Sequence, residues 1–133
     1  PIACAAAVAT IDAMKEEKMV ENAAHIGNTI LGPGLHELAK KHMVIGDIRG
    51  RGVFWSIDLV SNRESRAPLA PYGASSPAMN ELVAACKKNG LMPFANFNRL
   101  QLVPPCNVSE AEAKLGLELL DRSISEINKY YGA

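Results

Sequence analysis

The chain has 133 residues, 48% of them hydrophobic, and its fourteen basic residues balance fourteen acidic ones. This is the length of about one domain with a packed core, and with neither sign of charge clustered nothing recommends nucleic acid or an anionic membrane as a partner. Cys4, Cys86 and Cys106 are odd in number, widely spaced and free of any Cys-x-x-Cys pair, which argues against a disulfide framework and against zinc.

A reducing cytoplasm is the compartment that this cysteine usage implies. No apolar run reaches the roughly 18 residues that cross a bilayer. The sequence opens at Pro1, without methionine or a charged leader, directly inside an alanine-rich helical pattern. It reads as a segment of a longer protein.

Residues 2–17 carry five alanines between positions 3 and 9, giving high helix propensity, and Pro1 suits a first turn where its missing N–H costs nothing. The first half of this helix is apolar all round, so it should pack against something outside the chain or at a subunit interface. A second helical region is predicted over residues 18–41, with Val20, Ala24, Gly27, Leu31, Leu35 and Leu38 on one face. Gly32-Pro33-Gly34 interrupts it, because an interior proline loses a hydrogen bond and clashes with the preceding turn; a kink or break is expected near residues 29–33. His25, His36 and His42 are read as solvated surface side chains.

Residues 44–49 and 53–60 alternate as strands, with Trp55, Ile57 and Leu59 facing one way and Phe54, Ser56 and Asp58 the other. Gly50-Arg51-Gly52 between them predicts a tight connection in which Arg49 and Arg51 are structural rather than substrate clamps. Residues 61–76 form a polar, proline-punctuated loop, of a length that is usually functional or mobile. Ser76-Pro77 then starts a helix whose buried stripe is Met79, Leu82, Val83 and an inert Cys86, and Gly90 ends it.

Residues 90–109, GLMPFANFNRLQLVPPCNVS, are the pivot: a short strand, a polar turn, a second strand, and a stop at Pro104-Pro105. In an extended chain Leu100 and Leu102 share one face while Arg99, Gln101 and Val103 share the other. Spacing alone leaves two roles for Arg99: a solvated surface cation, or, with the Gln101 amide, a grip on a planar or tetrahedral anion. Ser109-x-x-Glu112 is a capping box, and its helix carries an unbroken core face of Ala113, Leu117, Leu120, Ile124, Ile127 and Tyr131.

Taken together, these motifs carry a family resemblance. The strand running into Pro-Pro and then Ser-x-x-Glu, the run GDIRGRGVFWSIDLV upstream, and the opening PIACAAAVATIDAM resemble, in that order, the C-terminal segment of class III (omega) aminotransferases of pyridoxal-phosphate fold type I. The loop APYGASSPAMNELV with the pivot is most similar to taurine or omega-amino-acid:pyruvate members. The resemblance implies an α+β small C-terminal domain, a short antiparallel sheet covered by helices, over residues 18–133. Residues 1–17 would be a linking or interface helix from a large domain, in an enzyme that is a homodimer. It further implies an amino donor and a 2-oxo acid as partners, and places the loop of residues 61–76 near the active-site entrance, where Arg66 or Tyr72 would meet substrate; the other reading of these residues is an ordinary solvated loop.

Pyridoxal-phosphate transamination needs a lysine that attaches the cofactor covalently and shuttles a proton, and a carboxylate on the pyridine nitrogen. None of the eight lysines (15, 18, 40, 41, 87, 88, 114 and 129) sits in an apolar stretch that would depress its pKa. The segment is therefore expected to hold no catalytic or cofactor-binding residue, to bind no cofactor by itself and to be inactive alone. Members of the resembled family place an arginine three residues before the Pro-Pro; here that position is Gln101, with Arg99 two residues earlier on the same face. Arg99 and Gln101 are the candidate substrate-binding residues. The competing reading is a free-standing α+β ligand-binding or regulatory module, and aminomutase or decarboxylase chemistry is possible on the same fold.

Overall fold

A computed structural model describes residues 1–132. The helices are α1 (Ile2–Glu16), α2 (Met19–Ile26), α3 (Gly32–Lys41), α4 (Pro77–Lys88) and α5 (Glu110–Ser125), and the strands are β1 (Ile45–Arg51), β2 (Phe54–Asn62), β3 (Ala67–Pro68), β4 (Phe94–Asn96) and β5 (Arg99–Leu102). The sheet is antiparallel in the order β1-β2-β5-β4, with β3 added alongside β2. This is the expected α+β arrangement.

Helices cover one face only. Ile57, Leu59 and Leu100 on the sheet, Ile26 and Leu35 on the first helical layer, Leu82 on α4, and Leu120 and Ile124 on α5 are completely buried against one another. Each such side chain removed from water is worth about 1.5–3 kcal/mol before conformational entropy is counted. Cys86 belongs to the same stripe, and burial pushes its thiol pKa up, which keeps it unreactive.

α2 and α3 form one helical column joined by a π-helical turn, Gly27–Leu31. The expected break at Pro33 becomes a widened turn: Pro33 falls in the first turn of α3, where no N–H is required of it. A side chain could not occupy position 27, since a Cβ there would lie 2.1 Å from the Gly52 carbonyl oxygen. Gly52 has φ +57 and makes the β1–β2 turn, so the turn falls one or two residues later than the sequence indicated. Trp55 Nε1 donates to the same Gly52 oxygen at 2.7 Å. Helix column, turn and sheet are thereby fixed to one another.

Several expectations need correcting. Val20 and Ala24 are exposed, and the buried stripe of the column is Ile26, Gly27, Ile30, Leu31 and Leu35. His42 is not a surface residue but 1% exposed, with Nε2 donating to Asp121 at 2.6 Å and Nδ1 facing the Asn128 amide nitrogen at 2.9 Å. The first part of the 61–76 loop is held to the sheet, since β2 runs on to Asn62, β3 pairs with it, and Leu69 and Ala70 are buried, whereas residues 71–75 are exposed. Arg63 closes the C-terminal end of α3, donating to the carbonyls of Ala39, His42, Met43 and Ile45. α5 ends at Ser125, so Ile127 reaches the core from a turn and not from the helix.

α1 stands apart. Left-handed Lys18 separates it from α2, and none of its residues is buried; Ile2, Val8, Ile11 and Met14 all face outward. No described helix is long and apolar enough to cross a membrane.

Candidate functional site

The sheet face turned away from the helices carries the polar residues. β4 and β5 form a hairpin whose two-residue turn is Phe97-Asn98; Phe97 takes φ +55, and its ring meets Tyr72 with centroids 4.7 Å apart. Tyr72 thus touches the hairpin tip while remaining 91% exposed, and Arg66 is exposed with φ +57.

Strand pairing lays the open face out in rows. Arg49, Ser56, Gln101 and Phe94 lie side by side across the four strands, and Asp47, Asp58, Arg99 and Asn96 form the next row. Alternation along β5 places Arg99 and Gln101 on this face and sends Leu100 into the core, as the sequence indicated. The cross-strand neighbours were not legible, because β2 and β5 lie some forty positions apart in the chain.

The charges on this face are not evenly satisfied. Arg49 takes both aspartates, reaching Asp47 at 2.8 Å and pairing also with Asp58. Arg99, although directly opposite Asp58 in register, makes no ion pair among the described residues, and its Nε is buried without a hydrogen-bond partner. A second buried polar atom without a partner, Ser56 Oγ, lies in the adjacent row. Buried donors are nearly always paired, and leaving one unpaired costs about 1–3 kcal/mol. The arrangement therefore leaves Arg99 with uncommitted positive charge beside the Gln101 amide, and that combination suits a carboxylate, sulfonate or phosphate group.

A groove of about 510 Å³ opens between the end of β5 and α5, on the helix-covered side of the sheet, walled by Met92, Pro93, Pro104, Pro105 and Leu117 and touching the polar rows only at Gln101. Phe94, the end of the first row, and Phe54 on β2 are both more than half exposed on the open side. All eight lysines are exposed, so no described amine stands in an enclosure where pyridoxal phosphate would be attached, and the residues present do not fit covalent attachment of that cofactor. Among the described residues no three His, Cys, Asp or Glu side chains cluster as a metal site.

Residues 1–124 match the class-III aminotransferase family. The chain is 33% identical over 132 residues to ethanolamine-phosphate phospho-lyase homolog 1 of Caenorhabditis elegans, covering 97% of this chain and 27% of that protein. It is 32% identical over 135 residues to taurine–pyruvate aminotransferase of Bilophila wadsworthia, covering 96% and 28% respectively. Its fold superposes on taurine:2-oxoglutarate aminotransferase of Bifidobacterium kashiwanohense, solved with pyridoxal phosphate and glutamate, with a TM-score of 0.89 at 25% identity over 97% of this chain and 29% of that one. The chain spans little more than a quarter of the length of these relatives. It belongs to the class-III aminotransferase family and corresponds to the C-terminal portion of its members.

Proposed function

We propose that this chain is the substrate-gripping C-terminal part of a pyridoxal-phosphate-dependent aminotransferase that moves an amino group from an omega-amino acid or amine to a 2-oxo acid such as pyruvate. The cofactor supplies the electron sink for that chemistry, and it is held by residues that this segment does not contribute. The part played here is binding and orientation. Arg99 takes the acidic group of the donor or acceptor through its planar fork, and Gln101 adds a neutral amide donor two residues along the same strand. Arg49 keeps Asp58 occupied, so that the carboxylate opposite Arg99 does not compete for its guanidinium.

The observation that carries this reading is the buried, unpartnered Nε of Arg99 on the open face. The outward apolar side of α1 supports a role for residues 1–17 as a helix that packs on a large domain or a subunit partner within a homodimer, with residues 18–133 as the small domain. The free cysteines fit a reducing compartment, the cytoplasm.

The test is Arg99→Ala in the complete enzyme. A hydrogen-bonded charge contact of this kind is worth about 1.5–3 kcal/mol, so KM for acidic donors should rise roughly 10- to 150-fold, with KM for a neutral amine unchanged. An unchanged KM for every acidic donor and acceptor removes Arg99 from the site. The likeness to the phospho-lyase homolog supports a second reading, in which the parent enzyme eliminates phosphate from an amino alcohol phosphate. Release of inorganic phosphate without consumption of a 2-oxo acid would favour it.

A further inference from the structure

Two buried polar atoms among the described residues lack partners, Ser56 Oγ and Arg99 Nε, and both lie on the open sheet face in adjacent rows. Chance burial of two unsatisfied donors so close together is costly, and a ligand that satisfies both removes the cost. The surroundings do not supply a substitute. Arg49, which flanks Ser56 on β1, is committed to Asp47 and Asp58, and Gln101 flanks it on β5.

Positions along and across the sheet determine how the three donors are disposed. Arg99 and Gln101 are two residues apart on β5, about 7 Å along the strand. Ser56 stands beside Gln101 on β2, about 5 Å away across the ladder, and about 7–8 Å from Arg99 on the diagonal, within reach of a long side chain. These positions make a triangle rather than a line. A carboxylate is planar and has two oxygens, which Arg99 and Gln101 can serve without help. A sulfonate is tetrahedral, and its third oxygen leaves the plane of the other two, so it calls for a donor to one side of β5.

We propose that the Ser56 hydroxyl is the third donor of the anion subsite and tunes it toward a tetrahedral sulfonate over a planar carboxylate. This rests on the substrate-gripping role given above to Arg99 and Gln101. Ser56 is a specificity residue for the acidic end of the substrate, remote from the reacting amine.

Ligand-observed NMR titration of the complete enzyme gives Kd for ethanesulfonate and for propanoate, two anions of matched length, with no dependence on turnover. Ser56→Ala should weaken ethanesulfonate roughly 10- to 150-fold, the loss of one hydrogen bond to a charged oxygen, with a smaller shift for propanoate. Because the hydroxyl has no partner within the protein, the thermal midpoint of the variant should equal or exceed that of the parent. Arg99→Ala should weaken both anions. If Arg99→Ala weakens both while Ser56→Ala changes neither, or changes both equally, the Ser56 proposal is overturned and the Arg99 site stands. If Arg99→Ala leaves both unchanged, the anion subsite itself is overturned and Ser56 with it. A lowered midpoint in Ser56→Ala with equal shifts for both anions assigns the residue to structure and also overturns the proposal.

Discussion

Removing the Asp121 carboxylate tests how the column of α2 and α3 is bound to α5. His42 is almost wholly buried and Asp121 accepts its Nε2–H at 2.6 Å, while Lys41 reaches the other carboxylate oxygen at 2.6 Å from a solvated position. In Asp121→Ala the imidazole N–H is left inside the protein without an acceptor, a cost of about 1–3 kcal/mol. The lost pair with half-exposed Lys41 adds under about 1 kcal/mol. For a chain of this length each kcal/mol moves the midpoint by about 3–5 °C, so thermal unfolding followed by circular dichroism should occur about 3–20 °C lower.

The effect has a definite pH dependence. The Lys41 ammonium, and after it the His42 hydrogen bond, hold the Asp121 pKa below the ordinary aspartate value of 3.8, although partial burial opposes them. The folded pKa is the lower one, so the stabilisation is present above the unfolded value and lost as pH falls through the folded value. The gap between the midpoints of wild type and Asp121→Ala should therefore narrow as pH falls below 3.8, leaving the part that a neutral carboxyl still supplies by accepting the His42 N–H. Lys41→Ala, which keeps the buried bond, should cost much less. Equal losses in the two variants, or a midpoint for Asp121→Ala within error of wild type at pH 7, would refute the assignment of His42 and Asp121 as the tie.

Gly27→Ala should destabilise by at least about 1–3 kcal/mol in urea titrations, since the new Cβ would meet both the carbonyl oxygen and the Cα of Gly52 and the π-helical turn would have to leave the sheet; a wild-type midpoint would show that the column can shift freely. Ser109→Ala removes the hydroxyl that accepts the Glu112 N–H in the capping box of α5 and should cost about 1 kcal/mol by the same measurement. The Ser109 hydroxyl and backbone N–H also hold the Glu112 pKa below the usual carboxylate range, so the contribution of the Glu112 carboxylate to this cap should be lost as pH falls below that range.

Local signals in the sequence proved sufficient for the elements: the alternation of residues 53–60 and 99–103, Ser76-Pro77, and Ser109 with Glu112 each specify a strand or a helix start by themselves. Arg99 and Gln101 were legible as one polar face for the same reason. Their surroundings were not. Ser56 and Asp58 could be assigned to a polar face, but their position opposite Gln101 and Arg99 depends on the β2–β5 pairing, which no local pattern encodes. His42 looked like a surface residue because its burial depends on Asp121 and Asn128 arriving from the far end of the chain. Pro33 signalled a break in the column, whereas Gly27 packing on Gly52 keeps the column continuous through a π-helical turn.

The central claim is that this segment binds while the chemistry belongs to residues elsewhere. The direct measurement is to purify the 133-residue chain, incubate it with pyridoxal phosphate, taurine and pyruvate, record the visible spectrum for a lysine-bound cofactor band, and assay alanine. The account predicts the spectrum of free cofactor and no alanine above the protein-free control. A borohydride-reducible cofactor band together with alanine formation by the isolated chain would contradict it.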